Sequence, residues 1–139
     1  MEHIAILDKK RKLLPKILSG EKTIESRRTL TKRAPYGKIA TGDIVYFKDS
    51  GEPVSARARV KDVKFFCDPG IPTLKRIVRD YGRRICLKPD FDVKKVRAKY
   101  ITLVFLQDVE PVKSFRIDKS GFGNANAWLV VQSVDSLRA

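Results

Sequence analysis

The chain has 139 residues, 42% of them apolar, 9% aromatic and 33% charged, which suits one folded domain over 1–139 and excludes a disordered polymer. Lysine and arginine total 30 against 16 acids, a net charge of +14. No stretch reaches membrane-spanning length and no signal-type apolar run opens the chain, so a cytoplasmic protein without a membrane partner is expected.

The charge is uneven. Residues 1–99 hold 26 basic and 12 acidic residues, and residues 100–139 hold four of each. A basic body with a neutral end points to an electropositive side that attracts phosphates. The alternative, the charged surface of a heat-adapted protein, usually brings a matching load of glutamate. The two cysteines, Cys67 and Cys86, have no CxxC spacing, and His3 is the single histidine. No metal and no cofactor are expected on those grounds. Cys86 lies between Ile85 and Leu87 and reads as a small core residue.

In chain order, His3 to Leu7 suits a buried first strand. Asp8 is placed to cap the next segment, and Leu13, Leu14, Ile17 and Leu18 form the stripe of an amphipathic helix within 9–19. Pro15 fits its first turn, and Ser19-Gly20 is a stop. The stretch Gly20 to Arg28 then packs three cations and two carboxylates into nine residues. As a strand it directs Ile24 and Ser26 to one face and Thr23, Glu25 and Arg27 to the other, with Glu25 and Arg27 about 7 Å apart. Lys22 stands at its entry. A lysine, a carboxylate and an arginine at a strand mouth form either a site or a structural ion-pair cluster.

Residues 28–40 read as a basic loop carrying Arg28, Lys32, Arg33 and Lys38. Ile44 to Lys48 is a strand with Tyr46 and Lys48 on one face and Val45 and Phe47 on the other, followed by a hairpin loop over Asp49 to Pro53. Val54 to Phe66 is a long strand whose period breaks near Lys61-Asp62, as a bulge would break it, and such a bent strand suits a barrel. A helix is expected over 74–81, capped by Thr73 and ended by Gly82. Residues 83–99 form a dense basic excursion, with a short helix after Asp92. Tyr100 to Leu106 is a central strand and 112–117 another. Residues 120–127 form a loop that brings Asn124 and Asn126 near a ligand, and Trp128 to Gln132 is a last strand. Trp128 suits a core position or a stacking platform.

Gly20-x-Lys22-x-x-Glu25-x-Arg27 resembles the ASCH-domain signature G-x-K-x-x-E-x-R. The preceding Leu-Ser-Gly, the Gly42-Asp43-Ile-Val strand and the Ala-Arg-Ala-Arg-Val strand extend the likeness over about residues 4–81, and more loosely over 100–132. The resemblance implies an α+β, PUA-like small mixed β-barrel with flanking helices, whose cleft takes RNA or a modified nucleoside. It also implies activities found in some members: removal of the acetyl group from acetylcytidine, or ribonuclease-like cleavage. The amidohydrolase branch looks to use the motif lysine, a threonine three residues on and a distant glutamate. Lys22 matches the lysine, Glu25 stands where the threonine would be, and no acid of 68–92 is an obvious counterpart of the glutamate.

Three functions are therefore weighed. In the first, the cleft binds RNA or a nucleotide through Lys22, Arg27, Arg28, Lys32, Arg33, Lys48, Asn124 and Asn126, with Tyr46 or Trp128 flanking a base. In the second, Glu25 acts as general base, Lys22 stabilises an oxyanion and Arg27 orients Glu25, giving a hydrolase. In the third, Glu25 and Arg27 form only a salt bridge at the barrel mouth.

Overall fold

The computed structural model describes residues 1–123 and 126–139. Their strands are β1 (Glu2–Leu7), β2 (Ile24–Thr29), β3 (Ile44–Asp49), β4 (Val54–Cys67), β5 (Tyr100–Phe115) and β6 (Trp128–Val131). Helix α1 (Leu13–Ser19) lies between β1 and β2, and α2 (Ile71–Ile85) between β4 and β5. Short 3-10 turns occupy Lys9–Arg11, Val93–Lys95 and Val134–Leu137.

All six strands join one sheet in the order β2-β5-β4-β3-β1-β6. β1 and β3 run parallel and the other neighbours antiparallel. The long strands β4 and β5 carry register shifts at Val54/Ala56, Arg57/Arg59 and Val60/Asp62. Each such irregularity bends the ladder and adds twist. The sheet therefore curls into a half-barrel, and edge strand β2 comes round to face β1. That open side is bridged by a side chain: Arg27 of β2 donates to the carbonyls of Ile6 in β1 and of Ala127 just before β6.

The concave face is filled by Ala5, Leu7, Val45, Phe47, Val60 and Val104, with Leu13, Leu14 and Ile17 of α1 packed on it. The convex side buries Ile24, Ile101 and Leu103 beneath Leu74, Ile77 and Ile85 of α2. A third cluster, Ile4, Val54, Leu129 and Val134, lies under the C-terminal turn. Strands covered on both faces read as continuous apolar runs, as β1 and the first half of β5 do.

The bulge expected near Lys61-Asp62 is present. The expected helix over 74–81 is longer, and its caps differ. Gly70 holds the N-cap position without a side-chain bond, so Thr73 lies inside the helix. Gly82 does not end it, because it is buried in packing: a Cβ there would meet Leu87 Cδ1 at 3.3 Å. The stop falls at Cys86, in the left-handed region at φ 62°. The two strands expected over 100–106 and 112–117 are one strand, with Asp108 at φ 54° within its bulged middle. The helix expected within 9–19 is broken at Lys12 (φ 53°), and Leu18 is exposed. Asp8 caps the 3-10 turn by accepting from Lys10 N, and Asp92 does the same for Lys94 N. The basic excursion is anchored by Leu87, Val93, Val96 and Ala98 against the α2 cluster. No helix among the described residues is long and apolar enough to cross a membrane.

Candidate functional site

Strand pairing sets the site. Glu25 lies opposite Val104 and Arg27 opposite Thr102, so both point to the concave face, while Ile24 packs under α2. Gly20 ends α1 in the left-handed region at φ 84°, a conformation that favours glycine. The turn it makes lays residues 22–23 against the end of α2. Thr23 N donates to the Arg84 carbonyl at 3.0 Å. Lys22 Nζ donates to the carbonyls of Ile85 at 2.6 Å and Ile24 at 2.9 Å. The motif lysine thus caps α2 from another part of the chain, placing a cation where the last carbonyls of a helix gather negative charge.

Lys22 is 2% exposed and Glu25 4%. Lys22 Nζ lies 3.5 Å from Glu25 Oε1, and Arg27 Nη2 lies 3.5 Å from Glu25 Oε2. Ser26 N donates to Oε1 at 3.0 Å, and Oε2 is buried with no hydrogen-bond partner. Burial pushes the Glu25 carboxyl up, but Lys22, Arg27 and the Ser26 amide together hold it below the ordinary glutamate value. Arg27 lies over the Trp128 ring at 5.1 Å and donates to Ala127 O at 3.1 Å and Ile6 O at 3.0 Å. Trp128 is 3% exposed, and its Nε1 donates to His3 Nδ1 at 3.0 Å. His3 Nε2 faces Asp43 Oδ2 at 2.8 Å. Because an indole only donates, this network fixes His3 as the neutral tautomer protonated on Nε2.

Above Glu25 opens a cleft of about 360 Å³, lined by Asp8, Arg11, Glu25, Ser26, Arg27 and Arg28 among others. A second cleft of about 140 Å³ shares Arg27, Arg28 and Ala127 with it and adds Arg33, Pro35, Asn126 and Trp128. Four arginines therefore face two carboxylates, one of which is already flanked by Lys22 and Arg27. Arg11 Nη2 is held by the Cys86 carbonyl at 2.9 Å. Arg28 is exposed and lies over Phe91 at 5.2 Å; burial of its head and the nearby Arg11 lower its pKa.

The structure brings together Lys22, Glu25, Arg27, Arg28, Arg33, Asn126 and Trp128 of the expected residues. It separates others. Tyr46 packs edge-on to Phe115 in the third cluster and lines a different cleft with Arg57 and Glu110, so it does not flank a base here. Lys48 is buried on that same face, and burial first, then the nearby Lys119 and Arg116, lower its pKa. Trp128 offers no free ring face, being covered by Arg27 and its core neighbours. Lys32 is exposed on the loop but does not line either cleft. The Lys22 ammonium, expected to face an oxyanion, is directed to Ile24 O, Ile85 O and Glu25 Oε1. Asn124 lies outside the described residues. Arg11 and the Ala127 carbonyl were missed. Arg11 sits in a run of four cations that gave no sign of which one turns inward.

Among the described residues no group of three or more His, Cys, Asp or Glu side chains is placed to hold a metal ion. Cys67 and Cys86 are free thiols.

No protein-family model matches the sequence, and no curated protein does. Solved structures do. The crystal structure of an ASCH protein from Zymomonas mobilis is 18% identical, covering 99% of this chain and 96% of that one, with a TM-score of 0.67. A tyrosine-to-phenylalanine variant of it is 17% identical over 99% of both chains, with a TM-score of 0.69. A serine-to-alanine variant is 18% identical over 97% of this chain and 91% of that one, with a TM-score of 0.71. The half-barrel with its two helices is the ASCH-domain fold.

Proposed function

We propose that the protein is an RNA- or nucleotide-binding ASCH domain whose ligand lies in the joined clefts over Glu25. The observation that carries this reading is the set of Arg11, Arg27, Arg28 and Arg33 around one opening, with the carboxylate at its floor already compensated. A cleft of this size falls within the range of small-ligand pockets. Arginine forks and stacked guanidinium planes suit phosphates and bases. The Glu25 carboxylate, kept ionised, is an acceptor for a base amino group once a ligand draws Arg27 aside.

A hydrolase is the less favoured reading. Its lysine would have to release two backbone carbonyls to meet an oxyanion, and a carboxylate with a lowered pKa is a weak general base.

The test is fluorescence anisotropy of labelled RNA against salt, on the wild type and on the variant Arg28→Ala, Lys32→Ala, Arg33→Ala. Binding should weaken with salt, and the slope should shrink in the variant. Unchanged affinity and slope in the variant would refute the reading. RNA recovered intact from the wild type separates binding from cleavage.

A further inference from the structure

The cleft does not use the outer face of α2. That face carries Lys75, Arg76, Arg79, Arg83 and Arg84, all exposed, against one acid, Asp80. Asp80 pairs with its neighbour Arg79, and Arg84 lies over Tyr81 and Phe105. Lys75, Arg76 and Arg83 make no side-chain hydrogen bond or ion pair among the described residues. Lys75, Arg79 and Arg83 follow at i, i+4 and i+8, a single stripe about 12 Å long.

Helix stability does not account for this stripe. Arg83 and Arg84 suit the negative end of the helix dipole, but Lys75 and Arg76 stand toward the positive end, where carboxylates are favoured. The first turn contains no acid. A stripe serving stability alone would alternate signs at i, i+4, and like charges at that spacing repel.

The stripe also leads to the cleft. α2 packs against the Val93–Lys95 turn, whose segment exposes Lys88, Lys94 and Lys95. Phe91 of that segment lies under Arg28, which lines both clefts.

We propose that the outer face of α2 is a second nucleic-acid surface, holding the phosphate backbone of RNA that flanks the nucleotide in the cleft. This rests on the RNA reading of the cleft. It makes the ligand class an RNA segment of several nucleotides rather than a free nucleoside. The surface has little apolar content beyond Ile71 at the helix start, so it lacks the anchor that an interfacial helix inserts into lipid.

The experiment compares a labelled trinucleotide with an RNA of about twelve nucleotides, a length within the range of single-strand sites. The variant is Lys75→Ala, Arg76→Ala, Arg79→Ala, Arg83→Ala, whose exposed alanines favour the helix. A control removes equal charge elsewhere: Lys10→Ala, Lys38→Ala, Lys61→Ala, Lys113→Ala. The α2 variant should lose at least about tenfold in affinity for the longer RNA, with a salt slope smaller by about 0.7 for each phosphate it no longer neutralises. Its trinucleotide affinity should stay within about twofold, and the control should lose far less for the longer RNA. Equal losses in the α2 variant and the control would overturn the proposal, as would a wild type that binds both RNAs alike. In that last case the cleft reading survives. A wild type that binds only the longer RNA, and loses it in the α2 variant, would support the helix surface and count against the cleft. Binding to phosphatidylserine vesicles that the α2 variant abolishes, with RNA binding unchanged, would overturn the proposal in favour of a membrane.

Discussion

Replacing Lys22 with methionine keeps most of the side-chain volume and removes the ammonium. Two carbonyls, Ile24 O and Ile85 O, lose the ammonium donor, and Glu25 Oε1 loses its neighbouring cation while keeping the Ser26 amide. Breaking a buried ion pair from one side costs about 3–5 kcal/mol, because a charge is left uncompensated. Here Arg27 still faces Glu25, which places the pair term near the low end. Each buried carbonyl left without a donor adds about 1–3 kcal/mol, less where water enters. Because these terms are not additive, Lys22→Met should destabilise the protein by about 4 kcal/mol, a large share of the 5–15 kcal/mol typical of a domain. Urea unfolding followed by the fluorescence of Trp128, the one tryptophan, measures it directly. Adding Glu25→Gln to Lys22→Met should recover about 1–2 kcal/mol by removing the stranded charge. A Lys22→Met protein within about 1 kcal/mol of wild type would refute the idea that this lysine joins α2 to the half-barrel.

Other consequences arise from the same geometry. His3 is held below the ordinary histidine value of 6.5, by burial first and against the pull of Asp43. Its neutral form is favoured in the folded state, so stability should fall as pH drops below about 6.5; a flat unfolding midpoint between about pH 7.5 and pH 5 would contradict this. Glu25, also held low, acts in the same direction at more acid pH: its contribution is present above the ordinary glutamate value and lost as pH falls through its folded value. Gly20→Ala should cost about 1 kcal/mol, because φ 84° disfavours a side chain even though the space is open. Gly82→Ala should be stabilising by about 0.5 kcal/mol if the far end of Leu87 yields, since an interior helical glycine is the weaker residue; thermal denaturation of the two glycine variants gives opposite shifts.

The local pattern was legible where one element decides the outcome. Alternation along residues 23–27 placed Ile24 and Glu25 on opposite faces, and the broken period at Lys61-Asp62 marked the bulge that curls the sheet. It failed where a distant partner decides. Lys22 looked available for chemistry, but its acceptor, Ile85 O, is 63 residues away in sequence. Arg27 lines both clefts and also spans the open side of the half-barrel to Ile6 and Ala127, a role its place in the strand did not show. Gly82 carries a stop signal that close packing against Leu87 overrides, and Cys86, the expected core residue, is the position that ends the helix. Trp128 satisfied both sequence readings, and only the His3 bond and the Arg27 contact assign it to the interior.

The measurement that tests the central claim most directly is a two-dimensional NMR titration of the labelled protein with a nucleoside monophosphate. Shifts concentrated at Ser26, Arg28, Arg33 and Ala127, with Tyr46 and Arg57 unmoved, are the predicted result. Shifts confined to the Tyr46 face, or none at millimolar nucleotide, would contradict the assignment of the arginine-lined cleft as the binding site.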